Sequence, residues 1–198
     1  MLRELPSQTA GPYVHIGLLP AVAGIPFEPE RDWGAMIGPG VCGERIRIEG
    51  TVFDGVGTPV KDAVLELWQP DAAGRFPGHD PGADPAFRGF GRVAADLSTG
   101  LFTFETIKPG RVPLPDGRLQ APHATLLIFA RGINIHLHTR IYFEDEAAAN
   151  GADPVLALIE QPERRRTLLA RRELRDGRVV YRFDVRIQGP EETVFFDV

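Results

Sequence analysis

Residues 100–143 read GLFTFETIKPGRVPLPDGRLQAPHATLLIFARGINIHLHTRIYF, and this stretch decides the fold class of the chain. It contains three short apolar runs, LFTFETI, ATLLIFA and RIYF, which are rich in Phe, Ile, Leu and Thr and are separated by segments with Pro, Gly or His. Short runs of this composition are typical of β-strands. We therefore predict strands near residues 101–107, 124–130 and 138–144.

The same strand pattern continues on both sides of this stretch. RIRIEGTVFD, which begins at residue 45, alternates charged and apolar residues as a half-buried strand does. AVLELWQ follows after a turn that contains Gly and Pro, and RVVYRFDVRIQ and TVFFDV read as two further strands near the end of the sequence. A long region rich in Pro and Gly, residues 70–92, is predicted to be an ordered loop, and such loops are usually functional.

One segment, residues 153–172, carries a helical signal. Asp153 is a favourable N-cap, and Pro154 suits the first helical position. The apolar residues that follow suit a helix packed on a sheet, but Pro162 should break that helix in two. Strands dominate elsewhere. We therefore predict a mainly β chain that forms a single β-sandwich domain over residues 1–198, with a short broken helical segment near 153–172.

The first 40 residues read as an irregular N-terminal arm, and the sandwich core is expected over residues 41–198. Pro and Gly recur too often in the arm for long regular elements. Its apolar content is nevertheless too high for a free tail. The apolar residues are Tyr13, Val14, Ile16, Leu18, Leu19, Phe27 and Trp33. We expect the arm to lie along a protein surface, either that of this chain or that of a partner.

Charge, hydropathy and cysteine content limit the possible functions. The 198 residues carry a formal net charge of −5. They contain no basic patch interleaved with aromatic residues, so nucleic acid is not an expected partner. No apolar run approaches the ~18 residues that a membrane span needs, and the N-terminus lacks the pattern of a signal peptide. The single cysteine, Cys42, cannot form an internal disulfide. These features predict a cytoplasmic protein without a membrane segment.

Histidines and one arginine in the central stretch are the candidate functional residues. His136 and His138 lie two positions apart, so both rings would point to one face of a strand. Together with His123 and Tyr142 they could bind a metal ion. The alternative is that these histidines only form local hydrogen bonds. Arg131, at the end of a predicted strand, could bind an anionic substrate through charge-assisted hydrogen bonds, or could form an ordinary surface ion pair.

Five motifs, taken together and in order, resemble the intradiol ring-cleavage dioxygenases. They are TIKPG, APH, ARGINIHLHTRIYF, LIEQPERR and YRFDVRIQGPEETVFFDV. The N-terminal SQTAGPYVHIG is similar to the alpha chains of the two-chain members, and the resemblance runs from Pro6 to Val198. It implies a β-sandwich of the intradiol dioxygenase type. In the iron-bearing chains of that family, two tyrosines and two histidines hold a non-haem Fe(III) ion.

The same resemblance implies that this chain has lost the ligands of that ion. The histidine pair of the family's P-H-x-H segment corresponds here to His123 and Thr125, and the two tyrosine positions correspond to Phe76 and Val112. The arginine that precedes the P-A-H segment of iron-bearing chains is replaced by Gln120. Fe(III) requires anionic or imidazole donors, which a benzyl ring, an isopropyl group and a hydroxyl group do not supply. We therefore expect no metal in this chain.

The role implied by the resemblance is that of an alpha subunit. A beta chain would hold the Fe(III), and the complex would cleave 3,4-dihydroxybenzoate (protocatechuate) with O2 in aromatic catabolism. This chain would supply no catalytic residue alone, but its arm would reach the iron pocket of the partner. Its expected substrate-binding residues are Thr9, Gly11, Pro12, Tyr13 and Arg131. The alternatives are a self-sufficient metalloenzyme that uses His123, His136 and His138, and a non-enzymatic β-sandwich binding module.

Overall fold

The computed structural model describes residues 6–26 and 32–197 of the chain. Most regular structure within these ranges is β-sheet. The strands are β1 (Arg45–Phe53), β2 (Val64–Trp68), β3 (Phe90–Ala94), β4 (Leu101–Ile107), β5 (His123–Phe129), β6 (Leu137–Phe143), β7 (Leu169–Arg175), β8 (Arg178–Arg182) and β9 (Val185–Arg186). The helices are α1 (Val14–Leu18), α2 (Ala147–Gly151) and the 3-10 segments Pro20–Ala23, Glu144–Glu146, Leu156–Leu158 and Pro162–Leu168. None of the described helices has the length and apolar character needed to cross a membrane.

The strands are joined by hydrogen bonds in one continuous path. Their order is β3-β2-β5-β6-β7-β8-β1-β4, with β9 paired to β1. The path folds over, so that its two end strands, β3 and β4, contact each other. Alternate strand residues point inward, as the period of a pleated strand requires. The buried core that results includes Phe102, Phe104, Leu126, Ile128 and Ile141. The predicted mainly β, sandwich-type fold is confirmed.

The three strands of the central stretch lie where the sequence places them. They span Leu101–Ile107, His123–Phe129 and Leu137–Phe143, within one residue of the predicted limits. In β4 and β5, buried and partly exposed residues alternate over most of the strand. One face of β5 therefore packs into the core, while the other face carries His123 and Thr125 on the outside of the sheet.

The predicted helical segment near 153–172 is partly wrong. Its two pieces, Leu156–Leu158 and Pro162–Leu168, are 3-10 and not α-helical, and the second begins at the proline that was expected to break the segment. The residue at the N-cap of the first piece is Val155, not Asp153 as predicted, although Oδ1 of Asp153 accepts the backbone N–H groups of Val155 and Leu156 at 2.8 Å each. From residue 169 onward the chain is strand β7, which pairs with β6 and β8.

The end of the chain also departs from prediction. RVVYRFDVRIQ forms two strands, β8 and β9, because Asp184 interrupts the ladder and accepts the backbone N–H of Thr51 with its side chain, at 2.9 Å. The carbonyl of Phe183 approaches β1 so closely that a Cβ on Gly50 would lie 1.7 Å from it. Residues 193–197 form no strand, which corrects the prediction for TVFFDV, and the last residue lies outside the described ranges.

The N-terminal arm has two differently placed parts. Residues 32–37 pack on the chain's own sheet, where Met36 is 1 % exposed and donates its N–H to the carbonyl of Glu105 at 2.9 Å. Residues 6–26 contain α1 and the 3-10 turn Pro20–Ala23, and they carry exposed apolar side chains. Phe27 lies outside the described residues. Packing of the arm on a partner chain stays a prediction.

Candidate functional site

The arm is attached to the loop that follows β5. Isolated β-bridges join Thr9 to Asn134 and Ala10 to Arg131, and the N–H of Ala10 donates to the carbonyl of Ile133 at 3.3 Å. This attachment brings together residues that are far apart in the sequence. As a result, Pro12 of the arm and Arg131 of the loop line one cavity of about 610 Å³.

The other predicted substrate-binding residues lie beside this cavity. Gly11 and Tyr13 flank Pro12, and both are exposed. The Tyr13 side chain is 74 % exposed, which is a large apolar area for a residue without a covering element. Thr9 lies at the bridge to the loop, and its hydroxyl donates to the carbonyl of Ala10 at 3.0 Å. Their contact with a substrate stays a prediction.

Arg131 is held at the cavity by Asp62. Its Nε and Nη2 lie 2.7 and 2.6 Å from Oδ2 of Asp62, which is buried, whereas the Arg131 side chain is 65 % exposed. Among the described residues, the third guanidinium nitrogen, Nη1, has no hydrogen-bond acceptor. A carboxylate that engages two nitrogens of a guanidinium fixes the plane of the group. The cation is therefore oriented and keeps N–H donors for an anionic ligand.

Two further cavity residues were not predicted from the sequence. His15 is buried, and its Nδ1 has no hydrogen-bond partner among the described residues. Lys61 precedes Asp62 and adds a second cationic side chain to the cavity lining. The sequence contains no motif that singles these residues out. They reach the cavity because the arm and the turn before β2 meet there.

A second group of polar side chains occupies the outer face of β5 and β6. His123 is buried, lies opposite Tyr142 in the ladder and stacks on its ring with 5.6 Å between ring centroids. Its Nδ1 is hydrogen-bonded to the carbonyl of Ala121 at 2.8 Å. Burial, together with the nearby positive charge of Arg140, lowers the pKa of His123 to about 4. This imidazole is therefore neutral at physiological pH.

Arg140 is the central residue of this outer group. It lies opposite Thr125 in the ladder, and its Nη1 donates to Oε1 of Gln120 at 2.7 Å and to the hydroxyl of Tyr142 at 3.3 Å. The Tyr142 hydroxyl in turn donates to Oδ1 of Asp153 at 3.3 Å. Burial raises the pKa of Tyr142 above its usual range, so its phenol stays protonated.

The residues that the family resemblance assigns to iron-ligand positions do not fit Fe(III). His123 and Thr125 share one face of β5, and the carbonyl of Val112 accepts the N–H of Gln120, three residues before His123, at 2.9 Å. The fourth, Phe76, lies in a loop that packs against residue 111, where a Cβ on Gly74 would lie 2.1 Å from the carbonyl oxygen. Only His123 offers a strong donor, and a guanidinium lies beside it, so these residues suit no trivalent cation.

The three histidines of the alternative metal site are not brought together. His123 pairs with Tyr142 and His138 pairs with Leu127, four residues further along β5, which corresponds to ~13 Å. The ring of His136 contacts Phe129, and the ring of His138 contacts Phe196. Within the described ranges no three His, Cys, Asp or Glu side chains are grouped closely enough to hold a metal ion. In that part of the chain, the geometry offers no site for the self-sufficient metalloenzyme hypothesis.

Comparison with known proteins identifies relatives over the whole chain. A family model described as "Dioxygenase" matches residues 35–189. The protocatechuate 3,4-dioxygenase alpha chain of Pseudomonas putida is 52% identical over 198 residues, which is 100% of this chain and 98% of the relative. The protocatechuate 3,4-dioxygenase beta chain of Burkholderia cepacia is 33% identical over 161 residues, covering 76% of this chain and 67% of the relative.

A solved structure shares the fold. The dioxygenase domain of a dioxygenase carbohydrate-binding protein fusion from Streptomyces sp. SirexAA-E superimposes with a TM-score of 0.58 at 22% identity. The match covers 96% of this chain and 98% of that one. At this level of identity, the similarity concerns the architecture alone.

Proposed function

Because this chain belongs to the intradiol ring-cleavage dioxygenase family, we propose that it is the alpha subunit of a protocatechuate 3,4-dioxygenase. The complex would insert both atoms of O2 between the hydroxyl-bearing carbons of 3,4-dihydroxybenzoate and release 3-carboxy-cis,cis-muconate. A homologous beta chain would complete an alpha/beta hetero-oligomer in the cytoplasm. The free thiol of Cys42 suits that reducing compartment.

The observation that carries this proposal is the cavity shared by the arm and the Arg131 loop. The family resemblance assigns substrate contact to both Pro12 and Arg131, which lie far apart in the sequence. The bridge between Ala10 and Arg131 brings both to one cavity of about 610 Å³. A cavity of this size accommodates a single aromatic ring with its substituents. This shared cavity supports a substrate-binding role for the surface.

Arg131 and Asp62 give the cavity its chemical preference. The substrate carries a carboxylate, and a guanidinium binds carboxylates through strong, charge-assisted hydrogen bonds. Asp62 fixes the orientation of the guanidinium, so less side-chain conformational entropy is lost when the substrate binds. We assign Arg131 to the carboxylate of the substrate and Asp62 to the positioning of Arg131. Neither residue takes part in bond making, which we assign to the partner's site.

The iron belongs, in this proposal, to the beta chain. The donor set around His123 does not fit a ferric ion, as described above, so the non-haem iron of the family would be held by the partner. The exposed side chain of Tyr13 and the neighbouring Gly11 and Pro12 would form a wall of that pocket. Coverage by the partner would also remove the exposed apolar area of the arm from water.

Co-expression with a beta chain tests the proposal. We expect turnover of protocatechuate only when both chains are present. We expect Arg131→Ala to raise KM about tenfold, since a lost charge-assisted hydrogen bond is worth ~1.5 kcal/mol or more. Arg118→Ala is a matched control, because Arg118 is also 65 % exposed and ion-paired, to Asp116, but does not line the cavity. Turnover by the lone chain, or equal KM values in the two variants, would contradict the proposal.

A further inference from the structure

We propose that Arg140 places its own positive charge at the position where iron-bearing chains of the family hold the ferric ion. The guanidinium of Arg140 would then prevent iron from binding, in addition to the effect of the lost donor atoms. This inference rests on the proposed function, because it uses the ligand positions assigned to His123 and Thr125. Arg140 would exclude the metal even where donor atoms are present.

The position of Arg140 in the sheet is the first step. In the β5–β6 ladder, Thr125 pairs with Arg140 and His123 pairs with Tyr142. Paired residues project their side chains to the same face of a sheet, and so do residues two apart on one strand. These four side chains therefore share one patch on the outer face. Arg140 starts directly beside Thr125, one of the two histidine positions of the iron site.

The direction of the Arg140 side chain is the second step. Its Nη1 reaches Oε1 of Gln120 at 2.7 Å and the hydroxyl of Tyr142 at 3.3 Å. Gln120 precedes His123 in the chain, and Tyr142 lies opposite His123. A side chain that starts beside Thr125 and reaches both Gln120 and the Tyr142 hydroxyl runs along the outer face of the His123–Tyr142 pair. The guanidinium therefore fills the volume that faces both histidine positions.

The charge of Arg140 is the third step. Among the described residues, no Asp or Glu oxygen lies within ion-pair distance of its guanidinium, and its hydrogen-bond acceptors are the neutral Gln120 and Tyr142. The ring of Phe196 lies 5.9 Å from its Cζ. An unneutralised cation in a partly buried site repels a second cation strongly, and more so a trivalent one. Restored donor atoms would still face this repulsion.

The experiment rebuilds the lost ligands with and without Arg140. The chain with Phe76→Tyr, Val112→Tyr and Thr125→His is co-expressed with a beta chain. It is compared with versions that add Arg140→Gln, which removes the charge, or Arg140→Lys, which keeps it. Iron per alpha/beta pair is measured by metal analysis, and the visible absorption from tyrosine-to-iron charge transfer is recorded.

We expect the version with Arg140→Gln to gain a second iron per pair, with about twice the visible absorption. The versions that keep Arg140 or carry Arg140→Lys should stay at one iron per pair. Thermal unfolding and size-exclusion chromatography show whether each complex has assembled. The inference would be overturned if the rebuilt chains with Arg140 and with Arg140→Gln contained the same amount of iron, whether one or two ions per alpha/beta pair. A second iron in the unmodified complex would instead contradict the proposed function.

A smaller change keeps the test decisive if the rebuilt chains fail to fold. Thr125→His alone creates a pair of imidazoles beside Arg140. Binding of Zn²⁺ to this variant, measured by calorimetry on the lone chain, is compared with binding to Thr125→His combined with Arg140→Gln. We expect at least tenfold tighter binding after removal of the guanidinium. Equal affinities would overturn the inference.

Discussion

At the scale of single residues, the orientation of Arg131 depends on Asp62. Two guanidinium nitrogens share one carboxylate oxygen, at 2.6 and 2.7 Å. We expect Asp62→Ala to release the guanidinium and to raise KM for protocatechuate by ~3–10-fold with little change in kcat, since uniform binding is lost and not transition-state stabilisation. Asp62→Asn keeps an acceptor for the guanidinium and should restore most of the affinity.

A second substrate shows whether Asp62→Ala affects only the orientation of Arg131 or disturbs the whole cavity. Catechol lacks the carboxylate that Arg131 is assigned to bind. Its KM should therefore change little in Asp62→Ala. An equal rise in KM for both substrates would mean that the variant disturbs the cavity as a whole, and the positioning role of Asp62 would fail.

The sequence predicted single residues only where a motif marks them. His123, Thr125 and Arg131 lie in recognisable segments, and the roles assigned to them stay predictions. Asp62 and Arg140 were missed, because their importance arises from contacts across the sheet and between distant loops. Asp62 and Arg131 are far apart in the sequence, and only the folded chain brings them into contact. A positively charged residue on a strand gives no signal in the sequence of the contacts that Arg140 makes with Gln120 and Tyr142.

At the scale of elements, Asp153 connects the start of β5 to the segment that follows α2. Its carboxylate accepts the backbone N–H of Ala121 at 2.7 Å, in addition to those of Val155 and Leu156 and the hydroxyl of Tyr142. Asp153 is 1 % exposed, so these donors have little access to water. The carboxylate therefore acts as a fixed junction between two elements.

We expect Asp153→Ala to lower the free energy of unfolding by ~2–4 kcal/mol, because several buried donors lose their acceptor at once. Urea unfolding of the lone chain measures the change. Asp116→Ala is the control: Asp116 also accepts a backbone N–H, from Arg118 at 3.0 Å, but in an exposed turn. A loss below ~1 kcal/mol in Asp153→Ala would contradict the structural role.

The helical prediction near 153–172 failed for an identifiable reason. The apolar spacing suggested an amphipathic helix, yet Leu158 is 76 % exposed. Pro162 prevents the first 3-10 segment, Leu156–Leu158, from continuing as a helix. From residue 169 onward the chain pairs with β6 as strand β7. Pairing with β6 and β8 thus overrides a weak local preference, which single-sequence reasoning cannot evaluate. The strands of residues 100–143 were predictable because short runs rich in Phe, Ile, Leu and Thr, separated by Pro, Gly or His, favour strands.

At the scale of the whole molecule, a cluster that contains Tyr181 and Lys108 makes the free energy of unfolding depend on pH in the alkaline range. Burial raises the pKa of Tyr181 to about 12. Burial alone would lower the pKa of Lys108, but its hydrogen bonds to Asp145 and Glu146 raise that pKa above the usual range. Both groups keep their protons in the folded state at pH values where the unfolded chain has lost them. Stability therefore falls as pH rises above about 10.

We expect the free energy of unfolding to decrease between pH 10 and pH 12, and Tyr181→Phe to flatten this decrease. Tyr13→Phe serves as the control, because Tyr13 is 74 % exposed and should leave the slope unchanged. Chemical unfolding of the lone chain at a series of pH values gives the slopes. A fall in Tyr181→Phe as steep as in the unmodified chain would show that another group causes the loss of stability at alkaline pH.

The central claim is that this chain contributes a substrate-binding wall but no metal site. Metal analysis of the purified lone chain, beside the complex with a beta chain, tests it most directly. We expect the lone chain to be colourless and to contain no stoichiometric iron, and the complex to contain one iron per alpha/beta pair with visible charge-transfer absorption. Stoichiometric iron with that absorption in the lone chain would contradict the claim.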